Sequence, residues 1–321
     1  MYRARRLRKN TMIRDLIREN QLSVNDFIYP VFVVEGENIK HEIASMPGQY
    51  HYSLDRLDEV CQEMVDCDLK SILLFGIPEH KDCHGTEAYN PNGIVQNAIR
   101  QIKKNYPQLY VIADVCMCEY TDHGHCGILD ENGYVDNDKT LEYLSKIALS
   151  YANAGVDMIA PSDMMDGHIS SLRKSLDENG YVTLPIMGYS AKYASNYYGP
   201  FREAAHSAPG FGDRKTYQMD YANEKMALRE IEADIEEGVD IIMVKPALAF
   251  LDIVKQASQR YDLPLCVYNV SGEYSMLKMA VEKGLMKEDV IEETLISMKR
   301  AGADIIITYF ALELAKKWSQ K

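Results

Sequence analysis

AGVDMIAPSD, residues 154–163, holds a helix end, a turn and a buried strand in ten residues. Gly155 stops the helical pattern KTLEYLSKIALSYANA (139–154), for which Asp138 or Asn137 is the expected cap, and Ser162 and Asp163 end the apolar run. The same arrangement returns as EGVDIIMVKP (237–246) and AGADIIITYF (301–310), so three helix-to-strand entries are of one kind. Reading outward adds FIYPVFVVEG (27–36), SILLFGIP (71–78), YVIADVCM (110–117), LPIMGYSAK (184–192) and PLCVYNV (264–270). Helical spacing fills most intervals, as with Leu54, Leu57, Val60, Cys61 and Met64 in 54–68. Eight short apolar strands, nearly all followed by a helix, predict an α/β chain folded as an eight-stranded parallel (β/α)8 TIM barrel. A doubly wound open sheet is the alternative, but no G-x-G-x-x-G follows the first strand.

Residues 1–26 read as an extended N-terminal arm with one helical segment, TMIRDLIREN, and 27–321 as a single barrel domain. The stretch 37–52 is polar and turn-rich. The irregular Gly/Pro/aromatic segment 193–218 is expected to be a lid, since long loops in compact domains are usually functional or disordered. Net charge is −13, which argues against nucleic acid as the main partner. The basic start MYRARRLRK suits an arm packing on an acidic neighbouring subunit, with a nucleic-acid tail as the alternative. No apolar stretch is long enough to span a membrane, and no signal-peptide pattern opens the chain. Seven cysteines in such a chain point to a reducing cytoplasm with free or metal-bound thiols.

In a barrel, strand ends converge on one mouth. That mouth would receive Cys116 and Cys118, Ser162 and Asp163, Tyr189 and Lys192, Lys245, Ser271 and Tyr309 from successive strands. The segment DVCMCEYTDHGHCG (114–127) offers Cys116, Cys118 and Cys126 as a soft donor set suited to zinc, with an open fourth position. Three metal-free buried thiols, or a closed site completed by His123 or His125, are the alternatives. Lys192 and Lys245 end adjacent strands, where burial and mutual repulsion would lower both pKa values and give amines able to form Schiff bases with a ketone. The alternative is two lysines held by carboxylates such as Asp114 or Asp163. Arg202 and Arg214 in the lid suit a substrate carboxylate, or else are solvated loop charges. Asp114, Ser162 and Tyr189 are candidates for proton transfer and orientation. Glu230 by itself reads as part of a solvated helix face.

The motifs DVCMCEYTDHGHCG, MGYSAKYASNYYGPFREAA, GDRKTYQMD, IIMVKPALAFLDIV, VYNVSGEY and AGADIIITYF, in that order, resemble the porphobilinogen synthase (5-aminolevulinate dehydratase) family. The resemblance runs from RARRLRKN near the start to the end of the chain. It implies condensation of two 5-aminolevulinate molecules into porphobilinogen, with loss of two waters, in tetrapyrrole (heme) synthesis, by a homo-octamer assembled through the arm. It further implies Schiff bases at Lys192 and Lys245 and a catalytic zinc on Cys116, Cys118 and Cys126. One substrate carboxylate would be held by Arg202 and Arg214, the other by Ser271 and Tyr309. Glu230 matches a position bound to an allosteric magnesium in many members. A class I aldolase would account for one strand-end lysine but not for two beside three thiols. A non-catalytic zinc-stabilised scaffold would show no covalent trapping.

Overall fold

A computed structural model describes residues 1–320. Their strands are β1 (Phe27–Val34), β2 (Lys40–Glu42), β3 (Tyr50–Tyr52), β4 (Ser71–Ile77), β5 (Tyr110–Val115), β6 (Met158–Pro161), β7 (Met187–Lys192), β8 (Ile241–Lys245), β9 (Leu265–Asn269) and β10 (Ile305–Thr308). Eight of them run side by side in the order β6-β5-β4-β1-β10-β9-β8-β7, every neighbouring pair parallel. A parallel bridge between Ile159 and Ile186 brings β6 against β7 and closes the ring. The eight strands expected from the sequence are the eight of this barrel. Helices cover its outside, so the strands are buried on both faces; all eight residues of β1 are inaccessible.

The repeated Gly-(Val/Ala)-Asp entries have one structural cause. Gly155, Gly238 and Gly302 end their helices with φ of 93°, 95° and 121°, which glycine adopts without a Cβ penalty. The aspartate two residues later folds its carboxylate onto the neighbouring strand. Asp157 accepts from the Val111 amide at 2.8 Å, Asp240 from Ile186 at 2.8 Å and Asp304 from Leu265 at 2.9 Å. Each entry thus stops a helix and satisfies a strand-start donor that would otherwise be buried unpaired.

Three local expectations change. The helix Asn137–Ala154 is capped by Asp136, whose Oδ1 accepts from the Lys139 amide at 3.1 Å, rather than by Asn137 or Asp138. Residues 37–52 contain the antiparallel pair β2–β3, and β3 adds to the end of β1 at Phe32 and Val33. The segment 193–218 contains a 3-10 turn at Asn196–Tyr198 and a helix at Gly199–Ala204, started by Pro200. Residues 1–26 form a 3-10 turn (Ala4–Arg8), a short helix (Thr11–Leu16) capped by Asn10 and a 3-10 turn (Val24–Asp26), with no buried residue in any of them. Met1, Tyr2, Leu7, Met12, Leu16 and Ile17 are exposed along this segment. No described helix is long and apolar enough to cross a membrane.

Candidate active site

β5 ends at Val115 and carries Cys116 and Cys118 into the barrel mouth. The 116–118 spacing brings their sulfurs to 3.4 Å, and a loop returns Cys126 so that all three Sγ atoms lie within 4.8 Å of one another. All three are buried. Tetrahedral zinc with Zn–S of about 2.3 Å would set sulfurs about 3.8 Å apart, so this donor set fits such an ion. Hydrogen bonds from Cys116 and then Cys118 hold the Cys126 thiol well below its usual range. The loop needs Gly124, at φ 71°, because a Cβ there would collide with the Ala208 carbonyl of the segment above it.

Neither histidine joins the cluster. His125 uses both ring nitrogens elsewhere, Nδ1 with Tyr217 Oη at 3.2 Å and Nε2 with the Phe211 carbonyl at 3.1 Å. His123 Nδ1 accepts from the His125 amide at 3.1 Å. A buried acid does join: Glu119 accepts from Cys118 Sγ at 3.3 Å, and Asp114, Cys116 and Glu119 form a second potential ligand group. Burial, and then the Cys126 charge, raises the Glu119 carboxyl. Sequence reasoning assigned Glu119 no role, although its position directly after Cys118 was the available signal.

Lys192 and Lys245 are register partners at the ends of β7 and β8, each 5% exposed. Lys245 Nζ stands among four rings, 4.3 Å from the Tyr268 centroid, 4.9 Å from Tyr189 and 5.3 Å from both Tyr198 and Phe201. Burial first, and the Lys192 charge second, bring its pKa down to about 7. Burial also pulls Lys192 down, but the charges of Cys126, Cys116, Cys118 and Asp114 outweigh it and its pKa is raised. The expected mutual depression of the lysines therefore holds for Lys245 alone. Lys192 Nζ donates to the Ser162 carbonyl. Ser162 Oγ donates to Asp114 Oδ2 at 2.9 Å, while Asp114 Oδ1 and Tyr189 Oη are buried with no described hydrogen-bond partner. Burial, then the Glu119 charge, raises Asp114 to about 7 against the pull of both lysines. Asp114 pairs neither lysine in a salt bridge.

The segment 193–218 is closed onto the loop that carries the three thiols. Arg214 Nη2 donates to the Gly124 carbonyl at 2.9 Å and also to Ser207, and the Gly210 amide donates to His123 at 2.9 Å. Arg202 Nε and Arg214 Nε are buried donors without a described partner. Ser271 Oγ accepts from the Phe201 amide at 2.9 Å and donates to Tyr197 at 3.3 Å, so it contacts this segment directly. Tyr309 Oη bonds Tyr268 Oη at 3.0 Å. Lys81, also unforeseen, reaches the same segment at the His206 carbonyl at 2.8 Å. Glu273 is a further unforeseen residue: its carboxylate accepts from Leu248 N at 2.8 Å, Asn269 Nδ2 at 3.0 Å and Val270 N at 3.1 Å. It ties the loop after Lys245 to the helix bearing Ser271.

Glu230 lies apart from this constellation, on the outer helix Lys225–Glu237. It lines a cavity of about 340 Å³ with Asp166, Asp234 and Glu237. Burial, then Asp166 and Asp234, raises its carboxyl. The helix face is thus a half-enclosed acidic recess rather than a solvated stripe.

Two strand-end lysines in register beside a three-thiol cluster that could hold a metal, at the mouth of a (β/α)8 barrel, place the chain among barrel enzymes. The chain belongs to the delta-aminolevulinic acid dehydratase family, whose model matches residues 1–317. It is 56% identical to the delta-aminolevulinic acid dehydratase of Helicobacter pylori over 315 residues, covering 98% of this chain and 97% of the relative. It is 54% identical to that of Methanothermus sociabilis, covering 98% of each chain. Among solved structures it is similar to the delta-aminolevulinic acid dehydratase (porphobilinogen synthase) of Toxoplasma gondii in complex with the reaction product porphobilinogen. The TM-score is 0.96 and the identity 45%, covering 100% of this chain and 94% of the other.

Proposed function

We propose that this chain condenses two molecules of 5-aminolevulinate into porphobilinogen, with loss of two waters, in tetrapyrrole synthesis. The observation that carries the reading is the register pairing of Lys192 with Lys245 beside Cys116, Cys118 and Cys126, in a chain of this family. Each lysine amine adds to a substrate ketone and expels water, giving an imine. The imine makes the adjacent carbon more acidic and the former carbonyl carbon more electrophilic. Bond formation between the two substrates then returns each lysine as a free amine. Lys245, with its pKa brought down to about 7, holds a substantial share of neutral amine at pH 7 and so can attack. Asp114, within electrostatic reach of both lysines and with a pKa near 7, suits proton exchange at the reacting carbons, with Ser162 orienting it and the unpartnered Tyr189 hydroxyl free to orient substrate.

Arg202 and Arg214 offer unpaired donors for one substrate carboxylate, and Ser271 with Tyr309 offers hydroxyls for the other. The lid, 193–218, excludes water that would hydrolyse the imines. Cys116, Cys118 and Cys126 would hold zinc, which supplies Lewis acidity at an open position. Glu230 and its acidic recess would take magnesium. The arm, residues 1–26, with its exposed apolar side chains, packs on a neighbouring barrel in a homo-octamer, and the barrel domain spans 27–321. Free, metal-binding thiols suit the cytoplasm.

The test is porphobilinogen formation from 5-aminolevulinate before and after chelation. Chelation abolishes turnover, zinc restores it and magnesium alone does not. Full turnover in the chelated protein would refute the zinc assignment, and no pyrrole product with zinc present would refute the enzyme reading.

A further inference from the structure

The barrel is least continuous where one of its lysines sits. Seven strand junctions are ladders, whereas β6 meets β7 at the single Ile159–Ile186 bridge. Lys192 is the last residue of β7, and its Nζ donates across this seam to the Ser162 carbonyl, one residue beyond β6. The place of Lys192 is therefore tied to a strand end that is laddered to β5, with the Ser162 amide donating to the Val115 carbonyl at 3.1 Å, but joined to Lys192's own strand, β7, by one bridge.

A buried ion cluster lies behind that strand end. His168 Nδ1 faces the Asp163 carboxylate oxygens at 3.1 and 3.0 Å, and His168 Nε2 faces Asp234 Oδ1 at 3.4 Å. Asp163 is 0%, His168 3% and Asp234 7% exposed, so all three are buried, with His168 and Asp234 at the wall of the recess that Glu230 lines. The imidazole is thus bracketed by a carboxylate on each ring nitrogen. Asp163 Oδ1 also accepts from the Met165 amide at 2.7 Å, closing a turn in which Met164 has φ 70°. A left-handed methionine is a costly conformation that surrounding contacts must maintain. On the other side, Asp234 presses on β7. A Cβ on Gly188 would approach Asp234 Oδ2 to 2.9 Å. His168 thus joins the loop leaving β6 to the helix packed on β7.

We propose that His168 is a positioning residue for Lys192: by tying Asp163 to Asp234 across the β6–β7 seam, it keeps the Ser162 carbonyl in place as the acceptor for the Lys192 amine. His168 acts through Asp163 and touches neither lysine. The proposal rests on the imine role of Lys192 given above.

The test is borohydride trapping with 5-aminolevulinate in the zinc-loaded protein, with the adduct quantified separately at Lys192 and Lys245. In His168→Gln, the Lys192 adduct falls about 10-fold relative to the Lys245 adduct, within the range that small misplacements of reacting groups produce. His168→Arg keeps a cation between the two carboxylates and returns the ratio to within about two-fold of wild type. Asp234→Asn moves the ratio the same way by about three-fold, and it decides the matter alone if His168→Gln does not fold. An unchanged ratio in a folded variant, or equal loss at both lysines, overturns the proposal. A wild-type protein that traps substrate only at Lys245 overturns the imine role of Lys192 and this proposal with it.

Discussion

Lys192 and Lys245 end neighbouring strands in register, yet their surroundings differ in kind. Lys245 stands in an aromatic box with a cationic neighbour, and burial with that charge brings it to about pH 7. Lys192 stands over the thiol cluster and Asp114, and their negative charge keeps it protonated. One amine is therefore ready to attack a ketone, while the other takes its state from the groups around it. The backbone follows the same division, with Lys245 on a strand laddered on both sides and Lys192 at the barrel's weakest junction. In the proposed reaction, two identical side chains would act as unequal nucleophiles.

Removing either lysine breaks the comparison outright. Lys245→Met and Lys192→Met each lower porphobilinogen formation by about 10⁴-fold or more, as loss of a covalent group does. Trapping at Lys245 survives in Lys192→Met. Removing one thiol of the cluster beside Lys192 comes next. Cys118→Ala lowers turnover by roughly 10³-fold through loss of the metal, several kcal/mol of Lewis-acid help. Bound metal measured by elemental analysis falls with it, and the circular dichroism of the barrel is unchanged.

Arg214→Met removes a buried charged donor proposed to hold a substrate carboxylate and lowers kcat/KM by about 10²-fold, near the upper value for one charged hydrogen bond. The pH effect is smaller and separates the lysines. Below about pH 7 Lys245 is protonated and inert, so its trapping rate at limiting substrate rises about ten-fold per pH unit toward pH 7 and then levels off. Trapping at Lys192, whose pKa is raised, continues to climb at higher pH.

Much of this was legible in the sequence, for identifiable reasons. The eight strands announce themselves because burial on both faces forces continuous apolar runs, and Gly155, Gly238 and Gly302 mark three of their entries. The three cysteines were readable because their spacing is local. The β2–β3 pair was not, since Lys40, His41 and Glu42 are exposed and owe their strand form to pairing with β3. The inequality of the lysines was hidden too. It depends on distances from Lys192 to Cys116, Cys118, Cys126 and Asp114, and only the closed barrel sets these. The Asp163–His168–Asp234 cluster joins a turn, a helix start and a second helix 66 residues beyond His168, and no pattern in any one of them signals the others.

The direct test of the unequal pair is to mix the zinc-loaded protein with less than one equivalent of 5-aminolevulinate at pH 7, reduce with borohydride and map the adduct by peptide mass spectrometry. The predicted result is substrate mass on Lys245 in clear excess over Lys192. Equal labelling, or label on Lys192 first, would contradict it.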